Sequence, residues 1–490
     1  NDQFLKSSTN ELLLWPQSTD QEQRSLRTVL AAAQGTTLII VPTIERTAAV
    51  CALLPDRSNT AVLHSQLSKS EFYRTYHQIL RGESRYVIGT KLALFAPLKK
   101  ISTILIDRAE DGNHKQSDQN PRYDTRTVAA TLAKLHHARL VYSTYAPTVG
   151  MYDRLRTGRL RQLTLPPISR PAPKIVDMQQ ERLSGNYRTI SAALSDSIDR
   201  ALASGRSAVI LINRRGSATS VQCHDCGHTL RCPTCALPLA WHERDRTLYC
   251  HRCSKRNTLP ATCPQCHGTQ LMFRGSGTEL VERELRKRWP QVPTVRLDRD
   301  TGETTIPNHG LAVGTEVILS ADGWEHVGAV GAVAIDFFLN LPDYSAAERT
   351  WQMLTAIQFH TAAPLTIQTY NASHPAVRAL AYQKPELFYD TELADRATVG
   401  YPPSAGLIKL AYLNRDKQAC LIEAKKLLRI LRSSPLPATL VTPLTPYQHG
   451  AWRMYIVLKY NLSTQSELVG HIMATVPDAW TIDRDPISLL

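Results

Sequence analysis

Ser102–His114 reads STILIDRAEDGNH. Thr103, Ile104, Leu105 and Ile106 form an unbroken apolar run that ends on Asp107, the pattern of a parallel strand buried on both faces. A carboxylate at the C-terminal tip of such a strand is where nucleotide-hydrolysing domains hold magnesium. The next residues, Arg108 and Ala109, do not suit that task, because a guanidinium beside the acid competes with the metal. The stretch predicts the sheet of an α/β nucleotide domain and poses the question of whether its chemistry survives. Asp107 itself reads as a strand-end acid facing solvent and paired with Arg108, with residual metal binding as the alternative.

Moving outward, further strand-like runs occur at Thr37–Thr43, Arg85–Thr90 and Arg139–Thr144, with helix-length patterns between them such as Gln23–Gln34 and Thr125–His137. This βαβ order predicts a parallel sheet with helices on both faces. Pro166–Ile175, PPISRPAPKI, reads as a linker. A second α/β unit follows, with strands at Ser207–Gly216, Thr315–Ser320 and Gly328–Asp336 and a helix over Thr278–Pro290 that Pro290 stops. Beyond Tyr401–Pro403, strands at Leu407–Leu413 and Arg453–Tyr460 flank a helix over Lys417–Arg432, which predicts a small α+β domain.

The chain has 490 residues, 43% of them hydrophobic and 20% charged, enough apolar material for about three cores. No apolar run reaches the ~20 residues of a membrane span. The opening NDQFLKSSTN lacks a secretory pattern, which points to the cytoplasm. It also lacks an initiating Met, so the chain reads as a fragment or as trimmed. The net charge of +14 favours a polyanionic partner, with a generally basic surface as the plainer alternative.

Eight of the ten cysteines fall between Cys223 and Cys266, as four C-x2-C pairs: Cys223/Cys226, Cys232/Cys235, Cys250/Cys253 and Cys263/Cys266. A C-x2-C turn aims two thiolates at one cation, and two turns complete a tetrahedral zinc site. The array predicts two structural Zn²⁺ ions with no coordination position left for water. Spacing alone does not decide which turns share an ion. His224, His228, His242, His251 and His267 fall outside the ligand count. From Arg206 to Asp300 there are 16 Lys+Arg against 8 Asp+Glu. Two zinc ions with eight thiolates carry −4, so about +4 remains for phosphate contact.

Taken in order, several stretches resemble the PriA-type replication-restart helicases, the primosomal N-prime proteins, over nearly the whole chain. They are LHSQLS at Leu63–Ser68, VIGTKLALFAPL at Val87–Leu98, NRRG at Asn213–Gly216 before the cysteine array, and GTE at Gly277–Glu279. RLDRDT at Arg296–Thr301, LPDYSAAERTWQMLT at Leu341–Thr355, QTYNASHPA at Gln368–Ala376, ELADRATVGYPP at Glu392–Pro403 and DRDP at Asp483–Pro486 follow. The resemblance implies two RecA-like helicase lobes, a double zinc-ribbon insertion in the second lobe and a small α+β C-terminal domain. The expected divisions are 1–165, the first lobe; 166–222, linker and start of the second; 223–266, the zinc insertion; 267–390, the rest of the second lobe; and 391–490. It also implies nested metal pairing: Cys223, Cys226, Cys263 and Cys266 on one ion, Cys232, Cys235, Cys250 and Cys253 on the other. The family's N-terminal DNA-end-binding and winged-helix regions have no counterpart here; either they lie upstream of a truncated start or the protein never had them.

The departures from that family concern ATP. Its glycine-rich phosphate loop ends in Gly-Lys-Thr, whereas Leu12–Arg24, LLLWPQSTDQEQR, holds no glycine and places Gln21 and Glu22 at the last two positions. Its Asp-Glu-Glu-His motif is Asp107, Arg108, Ala109 and Glu110. Its arginine pair falls in Ala356–Ala363, where His360 and Ala363 stand instead. The loop after GT carries Ser320, Ala321, Asp322 and Gly323 in place of a lysine-glycine core, and Thr301–Gly314 looks shortened. No replacement G-x4-GK[ST] occurs, so no ATP or Mg²⁺ and no catalytic residue is expected.

These readings predict a DNA-binding restart protein that recognises forked or single-stranded DNA and serves as a loading platform. Its partners would be other primosome, helicase-loading or single-strand-binding proteins. Candidate DNA contacts are Arg214, Arg215, Arg252, Lys255 and Arg256, with Trp241 and Tyr249 as possible stacking rings. The alternatives are an active ATP-dependent 3′–5′ helicase and a zinc scaffold for protein partners only.

Overall fold

The computed structural model describes residues 10–212, 219–233, 239–242, 247–250, 255–274, 278–298, 301–443, 446–448 and 450–489. The chain forms two compact units, Asn1–Ser169 and Arg170–Leu490.

In the first unit seven strands form one parallel sheet, in the spatial order Thr60–Leu63, Tyr86–Gly89, Thr37–Ile40, Thr103–Ile106, Arg139–Ser143, Glu11–Leu14, Arg161–Gln162. The central strands are buried on both faces because their residues alternate between two cores. Leu13, Leu38, Ile40, Val87, Ile104, Ile106 and Leu140 pack on one side. Leu12, Leu14, Ile39, Ile88, Leu105 and Val141 pack with Leu26, Leu30 and Val50 on the other.

The second unit holds a six-stranded parallel sheet, ordered Thr294–Leu297, Leu311–Gly314, Ser207–Ile212, Val327–Val333, Leu365–Thr369, Lys174–Asp177. The cysteine-rich segment forms its own antiparallel sheet of five short strands between Thr219 and Arg274. The C-terminal sheet pairs Gly406–Asn414 with Ala451–Tyr460 and Thr481–Arg484. The Lys417–Arg432 and Ser466–Ala474 helices close its core through Leu427, Leu431, Val469 and Ile472. Buried Arg396 ties this end to the rest by reaching Glu348 at 2.9 Å and Glu392 at 2.8 Å. The fold class is therefore α/β with an inserted antiparallel module and an α+β C-terminal end.

Three local expectations change. Thr315–Ser320 is not a strand: the strand ends at Gly314, and Glu316–Ser320 is a 3-10 turn. Thr315 and Ile318 are buried while Glu316 and Ser320 are exposed, a period of three that a short apolar run conceals. The linker is shorter than Pro166–Ile175, since Lys174 and Ile175 already pair with Thr366 and Ile367. The division expected at 390/391 falls inside the Pro385–Val399 helix.

Candidate functional site

Two polar clusters stand at strand ends, one in each unit. In the first unit the cluster forms where the Glu11–Leu14, Thr37–Ile40 and Thr103–Ile106 strands finish. After Leu14, Trp15 donates its indole N–H to the Tyr145 carbonyl at 2.9 Å, which pins the loop. Ser18 then caps the Thr19–Ala32 helix by accepting from the Gln21 N–H. The Gln21 side chain accepts from the Gln17 N–H at 2.7 Å and donates to the Pro166 carbonyl at 2.6 Å. The amides that would face a phosphate are taken by the loop's own side chains.

Glu22, in the first turn of that helix, is 2% exposed, and Asp107 is fully buried. Between them lies Arg46, from the first turn of the Ile44–Cys51 helix. Its Nε donates to Asp107 Oδ2 at 2.7 Å, and its Nη2 donates to Asp107 Oδ1 and to Glu22 Oε2, both at 3.0 Å. Arg108 turns back through a left-handed backbone, φ 50°, and its Nε reaches Glu22 Oε1 at 2.9 Å. Its guanidinium lies over the Tyr145 ring, 5.0 Å from the centroid. Despite their burial, the Arg46 and Arg108 guanidiniums are held charged by the carboxylates, Asp107 and Glu22 for Arg46 and Glu22 for Arg108. Asp107 is thus neither solvent-facing nor paired with Arg108: its partner is Arg46, and Arg108 serves Glu22. Arg46 was not a candidate in the sequence. The one signal for it is topological, because the helix that carries it follows the strand beside Thr103–Ile106 in the sheet.

Ala109 is buried in the first-unit core. Burial pushes the Glu110 carboxyl up to about 7, against the pull of the Arg108 charge. In the second unit the His360 ring stacks on Trp324 at 5.3 Å, and the Ala363 N–H is bound by the Thr361 hydroxyl at 3.0 Å.

The second cluster brings together Cys223, Cys226, Cys263 and Cys266, with all four sulfurs within 4.8 Å of one another. Cys223 Sγ lies 3.6 Å from Cys266 Sγ, and Cys226 Sγ lies 3.6 Å from Cys263 Sγ. Four thiolates at 2.3 Å from a tetrahedral ion stand about 3.8 Å apart, so the spacing fits zinc. Both turns are built alike. Each sulfur takes a backbone N–H from two residues on: Asp225 to Cys223, His228 to Cys226, Gln265 to Cys263 and Gly268 to Cys266. Such bonds favour thiolate over thiol. The residue after the second cysteine of each turn has positive φ, 75° at Gly227 and 62° at His267. Burial pushes the Cys226 thiol up, while the Gly268 N–H draws Cys266 down.

Cys232 and Cys250 lie in one small core with Val221, Leu230, Leu239 and Leu248, against which Trp241 packs. Their expected companions, Cys235 and Cys253, lie outside the described residues, as do Arg214, Arg215 and Arg252. Lys255 and Arg256 are exposed, and Tyr249 is half-buried. Among the described residues no helix is long and apolar enough to cross a membrane.

No family model matches the chain. Curated relatives do. The replication restart protein PriA of Bacillus subtilis (strain 168) is 30% identical over 474 residues, which cover 90% of this chain and 58% of the relative. The protein of the same description from Chlamydia pneumoniae is 31% identical, covering 86% and 59%. That of Treponema pallidum (strain Nichols) is 30% identical, covering 89% and 69%. The chain thus spans well under two thirds of the length of the first two. Among solved structures, RecG bound to a three-way DNA junction gives a TM-score of 0.41 at 12% identity, covering 80% of this chain and 44% of that one. A likeness so distant carries no argument.

Proposed function

Since this chain belongs to the PriA family of replication restart proteins, we propose that it binds forked or single-stranded DNA in replication restart and acts there as a loading platform, without turning over ATP. The observation that carries this reading is Arg46, whose guanidinium sits between Glu22 and Asp107 at 2.7–3.0 Å. In an ATP-hydrolysing lobe, that space between phosphate loop and strand tip belongs to Mg²⁺ and the γ-phosphate. Here two carboxylates face two guanidiniums, so a triphosphate meets no unbalanced positive charge, no glycine and no lysine.

Two Zn²⁺ ions complete the molecule. Cys223, Cys226, Cys263 and Cys266 hold the first, and Cys232, Cys235, Cys250 and Cys253 the second. With four thiolates each, the ions supply a rigid cross-link and no activated water. DNA contact falls to Lys255 and Arg256, with Arg214, Arg215 and Arg252 as further phosphate partners. The protein partners are other primosome, helicase-loading or single-strand-binding proteins.

One preparation tests the reading. Calorimetric titration with Mg-ATP is expected to give no binding heat, while a labelled forked oligonucleotide binds with an affinity that falls steeply with salt. DNA-stimulated phosphate release would overturn the non-catalytic reading. Fork affinity independent of salt would favour a zinc scaffold for proteins.

A further inference from the structure

Arg182 lies in the last turn of the short Met178–Leu183 helix of the second unit and is 5% exposed. Its Nε and Nη1 are enclosed and have no hydrogen-bond partner among the described residues. The nearby acids are engaged by their own backbone and neighbours. Asp177 accepts from the Gln179 N–H at 2.8 Å. Glu181 accepts from the Asn186 amide at 2.6 Å and the Ala192 N–H at 3.0 Å. Asp336 takes the Thr369 hydroxyl at 2.7 Å and the Tyr370 N–H at 3.1 Å. What Arg182 touches is the Tyr370 ring, 5.4 Å from its centroid. A buried guanidinium without an anion is costly, and a ring face offsets only part of that cost.

The cysteine turn also packs against Tyr370. A Cβ on Gly227 would come within 2.1 Å of the Tyr370 ring, so this turn is seated on the strand-end loop at the closest approach that backbone allows. Beside it, Tyr187 is 62% exposed and lies parallel to the His224 ring, with centroids 5.9 Å apart and 8° between planes. Arg231, across the same turn, is exposed and donates to Asn340 Oδ1 at 3.0 Å. The seam between cysteine turn and parallel sheet therefore joins an anion-seeking guanidinium to a solvent-facing aromatic stack.

We propose that this seam is a subsite for single-stranded nucleic acid: Arg182 receives a backbone phosphate, and the adjacent base lies on the open face of Tyr187. The proposal rests on the DNA-binding reading above and adds the strand class and the residues. Aromatic stacking of this kind accepts any base, while the phosphate contact contributes to the salt dependence.

The test uses the full zinc-loaded chain and a fluorescently labelled oligo(dT), read by anisotropy across a salt series. Tyr187→Ala is expected to weaken binding on the order of tenfold with an unchanged salt slope. An abasic oligonucleotide should bind parent and Tyr187→Ala alike. Arg182→Ala is expected to weaken binding and lower the salt slope by about one, and Arg182→Lys to keep the slope. If Arg182→Ala does not fold, Tyr187→Ala and the abasic strand carry the test alone. Parent-like affinity in Tyr187→Ala, or a parent-like salt slope in a folded Arg182→Ala, with the parent binding well, overturns the subsite and leaves the DNA-binding reading standing. No oligonucleotide binding by the parent overturns both.

Discussion

The carboxylate–guanidinium cluster of the first unit and the thiol cluster of the second are both four-residue polar knots at strand ends, but their charge is arranged in opposite ways. Glu22, Arg46, Asp107 and Arg108 sum to zero and pair with one another across 2.7–3.0 Å contacts. Cys223, Cys226, Cys263 and Cys266 bring four groups of one kind within 4.8 Å, with backbone N–H groups favouring their anions. The first knot has no charge left to offer a ligand. The second gathers negative charge that only a cation relieves. Charge balance, more than burial or position, is what distinguishes the two clusters.

The sharpest way to break this contrast is to disturb the thiol knot. Cys263→Ser should lower the zinc content by one ion per chain, read by mass spectrometry of bound metal. Structural zinc in small peptides is worth roughly 10–16 kcal/mol, so the Thr219–Arg274 module should become sensitive to protease. Metal retained at full stoichiometry would refute the assignment.

Next in size is the charged knot. Arg46→Ala leaves Asp107 and Glu22 enclosed without their bridging cation, and urea denaturation should show a loss of about 3–5 kcal/mol. Arg46→Met fills the space but restores no charge, and should fall between the two. A neutral outcome in both variants would mean that the knot does not hold the lobe.

Glu110 gives a smaller, pH-dependent effect. Its carboxyl titrates at about 7 when folded against 4.5 when free. The folded state therefore holds the proton more tightly. This contribution is complete below pH 4.5 and is lost as pH rises through 7, with a slope of at most about 1.4 kcal/mol per pH unit. Glu110→Gln should flatten the stability profile between pH 4.5 and 7. An unchanged profile would place the titration elsewhere.

The smallest effect belongs to the helix cap. Ser18→Ala frees the Gln21 N–H at the start of the Thr19–Ala32 helix and should cost about 1 kcal/mol. It should not create ATP binding, because the charged knot behind it is unaltered. Heat released on adding Mg-ATP to this variant would show that the cap alone blocks the site.

Local pattern carried most of the fold. The Thr103–Ile106 strand, the Lys417–Arg432 helix and the C-x2-C turns all follow from spacing within a few residues. The 3-10 turn at Glu316–Ser320 departs from the strand expected there, though the sequence holds a signal for it. YVIGTKLALF in the first unit and LAVGTEVILS in the second share a strand–Gly–Thr–turn plan. In both, a Cβ on the glycine would strike a carbonyl oxygen of the neighbouring strand, Leu63 for Gly89 and Leu297 for Gly314. Arg46 was not legible because its partners lie 24 and 61 positions away, and only sheet order brings them together. Arg182 was hidden for the converse reason, since the absence of a partner is visible only once its surroundings are folded.

The strand that enters the cysteine-rich module, Thr219–Cys223, runs antiparallel beside the one that leaves it, Leu271–Arg274, with Ser220 opposite Arg274. The whole module thus hangs from a neck about 5 Å wide. A gene can gain, lose or exchange such an appendage with no more than a short bridge to seal the gap. Change in the metal-bearing part and change in the sheet that carries it can therefore proceed separately across this joint.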